Sequence, residues 1–276
     1  MLDELAQFNK ARWEAIAAAQ SIYARPWLDL DDVTARQRVD PYGYFGDVTG
    51  KRVLCLGSGG GQQSVAFALL GAQSTVLDLT DNQLAGDRLA ADHYGLKIRI
   101  EQGDMRDLTR FAEGEFDLVY HTYSINFIPD PTTVFAQVAR VLQPGGSYFV
   151  QWHNPFTQLV DETTWDGMGY RLRGLYGDQE IPAHLFAEEN WTFEDSAGNM
   201  QSVASPRSFR HALSTMINGL VHHGFQVVGC REETTDETNP APGSWEHYKA
   251  VTAWILNLWT VKATHLAKPP AVLSHV

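Results

Sequence analysis

The chain has 276 residues, with 33 acidic and 21 basic side chains for a formal net charge of −12. Its lysines and arginines are scattered, so DNA, structured RNA and anionic membrane surfaces are poor partners and a small molecule is the expected one. No apolar run approaches the length that crosses a bilayer, and the two cysteines, Cys55 and Cys230, are too few for a disulfide framework. The N-terminal stretch carries acids where a secretory signal would carry lysines, so the expected setting is reducing and cytoplasmic.

Leu5, Phe8, Trp13, Ile16 and Tyr23 recur at roughly helical spacing, which predicts an amphipathic N-terminal helix stopped by Pro26. From residue 51 the pattern becomes strand, turn, helix, repeated. "KRVLCL" is a first buried strand followed by a helix over 62–70, and "STVLDL" a second strand followed by the helix "TDNQLAGDRLAADHY". Thr80 and Gln83 fit a capping box at the start of that helix. "LKIRIEQ", "FDLVYH" and "GSYFVQW" are the third, fourth and fifth strands, the last preceded by a helix that "QPGG" closes. Near-continuous apolar strands alternating with helices predict an α/β fold with a parallel sheet covered on both faces.

Over 154–205 the rhythm stops. That stretch is rich in Trp, Tyr, Asp and Glu, with a hairpin expected to turn at residues 197–199. Its length suits a substrate cap better than a plain connection. The alternation then returns with "SFRHALSTMINGLVHH", "FQVVGCR" and "AVTAWILNLW". The resulting division is an N-terminal helical segment or lid (1–50), a core (51–153), an inserted cap (154–205), the rest of the core (206–262) and a tail (263–276).

The run "LGSGGGQQ" places four glycines in five positions directly after the first strand. A dinucleotide fingerprint needs glycine at the first, third and sixth positions; here these are Gly57, Gly59 and Gln62, and the sixth fails. A P-loop needs Gly-Lys-Ser/Thr, and no lysine is present. What fits is G-x-G-x-G at Gly57, Gly59 and Gly61.

With these residues the chain resembles the class I S-adenosylmethionine (SAM)-dependent methyltransferases, in wording nearest the small-molecule branch that includes quinone C-methyltransferases. Gly57-Ser58-Gly59-Gly60-Gly61 is similar to the family's first motif, and Asp78 to the acid that takes the ribose hydroxyls. "QGDMRDL" is similar to the third motif, which sets Asp104 at the adenine amine and Met105 against the ring. "FDLVYHTYSINFIPDP" and "RVLQPGG" continue the likeness. The resemblance implies a doubly wound, mostly parallel seven-stranded sheet, SAM as cofactor, and Gly57, Ser58, Gly59, Gly61, Gln62, Asp78, Leu79, Gln83, Asp104, Met105 and His121 as its binding residues. A second reading stands for Asp78, as a cap for the following helix, and for Asp104, as the start of a turn. The sequence departs from the family at Cys55, where an acid is usual, and at Asn126-Phe127, where two histidines are frequent.

Methyl transfer from a sulfonium needs alignment of the nucleophile, and a base where the acceptor carries a proton. His121, one residue past the fourth strand, and His153, past the fifth, are the candidate bases; each has an alternative reading, as packing beside the cofactor or as a loop hydrogen bond. Tyr23, Trp27, Trp152, Trp165 and Tyr170 are candidate walls for an apolar or ring-bearing substrate, with ordinary core packing as the alternative for each. His222 and His223 point apart on a helix, and no cluster has metal-ligand spacing. Oligomeric state is not readable. Two other functions compete with small-molecule methylation: a SAM-fold enzyme that catalyses a different reaction, and a SAM-binding sensor.

Overall fold

The computed structural model describes residues 2–182 and 190–264. Its centre is a seven-stranded sheet of β1 (Arg52–Leu56), β2 (Gln73–Asp78), β3 (Arg99–Gln102), β4 (Phe116–Thr122), β5 (Leu142–His153), β6 (Phe225–Glu233) and β7 (Ile255–Lys262). The spatial order is β6-β7-β5-β4-β1-β2-β3. The first five strands run parallel, and β7 runs antiparallel to both β5 and β6. This is the doubly wound, mostly parallel sheet that the sequence predicts.

Both faces of the inner strands β1, β2, β4, β5 and β7 are largely buried, which is why these strands read as apolar runs rather than alternating ones, while the edge strands β3 and β6 are mostly exposed or half-buried. On one face Leu54, Val119, Tyr148, Val150 and Trp152 meet helices α5 (Pro131–Val141) and α6 (Leu213–His222). On the other, Val53, Cys55, Tyr120, Phe149 and Trp259 meet α2 (Asp32–Val39), α3 (Gln63–Leu69) and α4 (Asp81–Tyr94). Helix α1 (Glu4–Ala18) lies against α4, and α7 (Trp245–Thr252) precedes β7. The hairpin of Asn190–Glu194 with Met200–Ala204 turns where expected, with the Asp195 carboxylate accepting from the N–H groups of Ala197 and Asn199.

Several local expectations are corrected. Helix α1 ends at Ala18, well before Pro26, and α2 follows, started by a reciprocal capping box between Asp31 and Thr34. Thr80 and Gln83 form no capping box: the Thr80 hydroxyl donates to Asp78 instead. "QPGG" belongs to β5 rather than closing α5. Residues 209–210 pair with 179–180 before α6 begins, and the last apolar run divides at Ala253, φ +50°, into α7 and β7. Residues 265–276 of the expected tail lie outside the described residues. Among the described residues no helix is long and apolar enough to cross a membrane.

Candidate active site

The glycine loop joins β1 to α3 and is pressed between two neighbours. Gly57 sits at φ +57°, and a Cβ there would lie 2.4 Å from Ser124 Oγ and 2.8 Å from Met105 Cε. The Gly60 N–H donates to the Gln83 carbonyl at 2.9 Å and to Asp87 Oδ2 at 3.0 Å. Burial pushes the Asp87 carboxyl up to about 7, against the hydroxyl that Ser64 donates to it. The Gln62 amide donates to the carbonyls of Ile22 and Arg25, both at 2.9 Å, and so straps the N-terminal segment onto the loop.

At the carboxyl ends of the parallel strands this loop borders a cavity of about 810 Å³, the usual place for a ligand in such sheets. Asp78, Leu79, Gln83, Asp104 and Met105 form one wall with Gly57 and Gln62. Asp78 is buried; its Oδ2 accepts from the Gly59 N–H at 3.0 Å, and its Oδ1 from the Thr80 N–H at 2.9 Å and the Thr80 hydroxyl at 3.0 Å. Burial nevertheless pushes its carboxyl above the usual range. Asp78 thus fastens the loop and the start of α4 while bordering the cavity. Asp104 holds the Arg106 guanidinium, at 2.6 Å from Oδ2, and Arg106 reaches on to Asp3, the N-cap of α1, at 2.7 Å. Gln83 is buried, and its Oε1 has no hydrogen-bond partner among the described residues.

Helix α1 roofs the cavity with Ala6, Asn9 and Trp13. Its Asn9 is buried and clasps Arg207 through both backbone groups, accepting from the N–H at 2.8 Å and donating to the carbonyl at 3.1 Å. At the opposite end from Asp78 stand His153, Tyr123, Trp245, Trp254 and Glu233. Tyr123 lies at φ +54°, a strained conformation for a side-chain-bearing residue, at a cost of about 1–3 kcal/mol. Its hydroxyl meets His153 Nδ1 at 3.2 Å. Burial pushes the His153 imidazole down to about 3, and its Nε2 has no partner among the described residues.

The geometry corrects several sequence expectations. His121 does not open into the crevice. Side chains alternate along a strand; Tyr120 and Thr122 border the cavity, and His121 points to the opposite face, fully buried, with Nδ1 3.0 Å from Tyr148 Oη. Trp152 is buried in that same core for the same reason, since its neighbours Gln151 and His153 take the cavity side. Trp27 packs beneath Arg38, 5.0 Å from its ring, against the cluster on α2 and α3. Trp165 and Tyr170 pack against each other and His247 outside the cavity. Ser58, Gly59 and Gly61 also lie outside it: Ser58 donates to the Leu56 carbonyl, while Gly59 and Gly61 serve the packing of the loop. Tyr23 does border the cavity. Among the described residues no group of three or more His, Cys, Asp or Glu is arranged to hold a metal ion.

The buried His121 makes a testable contribution to stability. Its folded pKa is depressed to about 3, while the unfolded chain titrates near ~6.5. As pH falls below ~6.5 the unfolded state gains a proton that the folded state refuses, so stability drops by about 1.4 kcal/mol per pH unit. Asp87, raised to about 7, acts in the opposite sense, so the informative quantity is a difference. The stability of wild type relative to His121→Gln should shrink by about 2 kcal/mol between about pH 7 and about pH 5 in urea titrations. A difference that does not change with pH would place the imidazole in water.

The family described as "Methyltransferase domain" matches residues 54–150. An uncharacterized methyltransferase of Bacillus subtilis (strain 168), YbaJ, is 33% identical over 199 residues, which cover 70% of this chain and 72% of that protein. A ubiquinone biosynthesis O-methyltransferase of Xanthomonas oryzae pv. oryzae (strain PXO99A) is 32% identical over 153 residues, 55% of this chain and 60% of that one. In fold the chain is similar to an S-adenosylmethionine-dependent methyltransferase from Mesorhizobium loti, with a TM-score of 0.60 and 19% identity over 85% of this chain and 100% of that one. The strand order, the glycine loop with its carboxylates and these likenesses converge: the chain belongs to the class I SAM-dependent methyltransferases.

Proposed function

We propose that the protein transfers a methyl group from SAM to a small molecule seated at the end of the cavity where His153 and the aromatic side chains stand. The observation that carries this reading is that one cavity joins the wall of Gly57, Asp78 and Asp104 to the end where His153 stands. The net charge of −12 supports a small molecule over a polynucleotide, and with the two free cysteines it fits a cytoplasmic setting.

The residues present fit the cofactor. Gly57 and Met105 border the cavity side by side, and Gln83 Oε1 is a buried acceptor with no donor among the described residues. Asp78 Oδ2 accepts one N–H and keeps a lone pair for a hydroxyl. Gly57, Asp78, Leu79, Gln83, Asp104 and Met105 would hold SAM. Bound SAM supplies an electrophilic methyl on a sulfonium. The chain supplies position and exclusion of water: α1 closes the roof, and the Arg106 bridge from Asp104 to Asp3 couples that roof to the cofactor wall. With its proton on Nδ1 and donated to Tyr123, His153 would keep an Nε2 lone pair, unpaired among the described residues, with which to take a proton leaving the acceptor.

SAM and S-adenosylhomocysteine should raise the melting temperature, and NAD, NADP and ATP should not. Stabilisation by a dinucleotide alone would overturn the reading. In the same framework Asp78→Ala should weaken SAM binding by about 1.5–3 kcal/mol, roughly 10–150-fold in Kd. Calorimetry on the folded variant with unchanged affinity would leave Asp78 as a helix cap only.

A further inference from the structure

The sheet order separates the two ends of the cavity. Strands β2 and β3, which carry Asp78 and lead into Asp104, lie on one side of β1 and β4, and β7 and β6 lie on the other beyond β5. Glu233 is the last residue of β6. It stands opposite Ile255, which stands opposite His153, so all three share one face. Its carboxylate is held by neutral donors: Oε1 accepts from the amides of Gln151 at 3.0 Å and Asn257 at 2.9 Å. These amides orient the charge without cancelling it.

Among the described residues no Lys, Arg or His forms an ion pair with that carboxylate, and Arg231, two residues earlier on β6, lies over the Tyr42 ring. Asp161 is paired with Arg173 at 2.5 Å. Arg106 is committed to Asp104 and Asp3, and exposed Arg38 lies over the Trp27 ring. A second observation points to a donor-bearing ligand: Gln158 is nine-tenths buried and borders the cavity, and its Oε1 has no hydrogen-bond partner among the described residues. Trp254 stands at the same end, its ring 6.0 Å from His153 and 5.4 Å from Trp245. A carboxylate, an unmatched carbonyl oxygen and indole faces together attract a cation with N–H donors.

We propose that this end of the cavity recognises an ammonium group on the substrate, with Glu233 as its counter-ion and Trp254 and Trp245 as its aromatic wall. The proposal rests on the methyltransferase reading and names the substrate class for it. A protonated nitrogen has no lone pair with which to attack carbon, so the ammonium is a handle and another atom of the same molecule accepts the methyl.

The test uses three probes of one skeleton, phenethylamine, phenethyl alcohol and phenylacetate, titrated calorimetrically with and without S-adenosylhomocysteine. Phenethylamine should bind at least roughly tenfold more tightly than the other two. Glu233→Gln keeps an acceptor for the Gln151 and Asn257 amides; it should erase that preference and leave S-adenosylhomocysteine binding within about twofold. The proposal is overturned if phenylacetate or the alcohol matches the amine, if none of the three binds, or if the preference survives in the variant. Binding of S-adenosylhomocysteine is read separately. Its failure with the amine preference intact would remove the methyltransferase reading and leave the ammonium site standing.

Discussion

Replacing His153 with alanine should lower turnover at saturating SAM by roughly 10²–10⁴-fold, and the wild-type rate should stay flat from roughly pH 8 down to roughly pH 5. An imidazole in water would lose its base function as pH falls through ~6.5. His153 is instead held neutral by burial, with a pKa pushed down to about 3, so no acid limb belongs to it in that range. Its orientation is fixed by the Tyr123 hydroxyl at Nδ1 and by the loop that Asn126 ties to the His153 N–H at 3.3 Å. Single-turnover rates across pH decide between roles. A variant that binds SAM and substrate normally but transfers slowly marks His153 as the base. A variant with weakened substrate binding and intact turnover marks it as a wall of the site. His121→Ala is the matched control, since that imidazole faces the opposite side of the sheet and should leave turnover of the saturated enzyme nearly unchanged.

What the sequence shows of this fold follows from which forces are local. A strand buried on both faces announces itself as an apolar run, and "RVLCL" and "LVY" were legible for that reason. The glycine run, Asp78 and Asp104 were legible as a spaced series. The side to which a strand residue points was also available from alternation, yet a run buried on both faces hides it. His121 and Trp152 were therefore expected in the crevice and lie in the core, while Gln151 and His153 take the cavity side. The capping box at Thr80 is absent because its hydroxyl is turned to donate to the Asp78 carboxylate two residues upstream, and its oxygen accepts no N–H of the first helical turn. Trp245, Trp254 and Glu233 carry no local signature at all. They meet His153 only because β7 runs antiparallel between β5 and β6, its pairing with β5 spanning about 100 residues of chain that no spacing rule reads.

Gly61→Ala should destabilise the folded protein by about 2–5 kcal/mol, whether or not cofactor is present. The residue sits at φ +71°, and a Cβ there would lie 2.3 Å from the Gly86 carbonyl oxygen and 2.7 Å from its carbon. Both atoms are backbone, within α4, and cannot swing aside as a side chain would. The left-handed conformation accounts for about 1–2 kcal/mol and the forced separation of loop and helix for about 1–3 kcal/mol. The Gly61 carbonyl also accepts the Trp27 N–H at 3.0 Å, so displacement of the loop would loosen the segment that Gln62 straps down. Gly61 therefore performs, against α4, the close packing that a dinucleotide fingerprint assigns to its third glycine one position later. Gly95→Ala supplies the comparison: φ is +65°, nothing lies within 4 Å of the added Cβ, and only the conformational penalty of about 1–2 kcal/mol applies. Urea titrations of the two variants should separate them by at least about 1 kcal/mol. Equal losses would mean that the loop has room to yield, and that its contact with Gly86 is not what holds the glycine there.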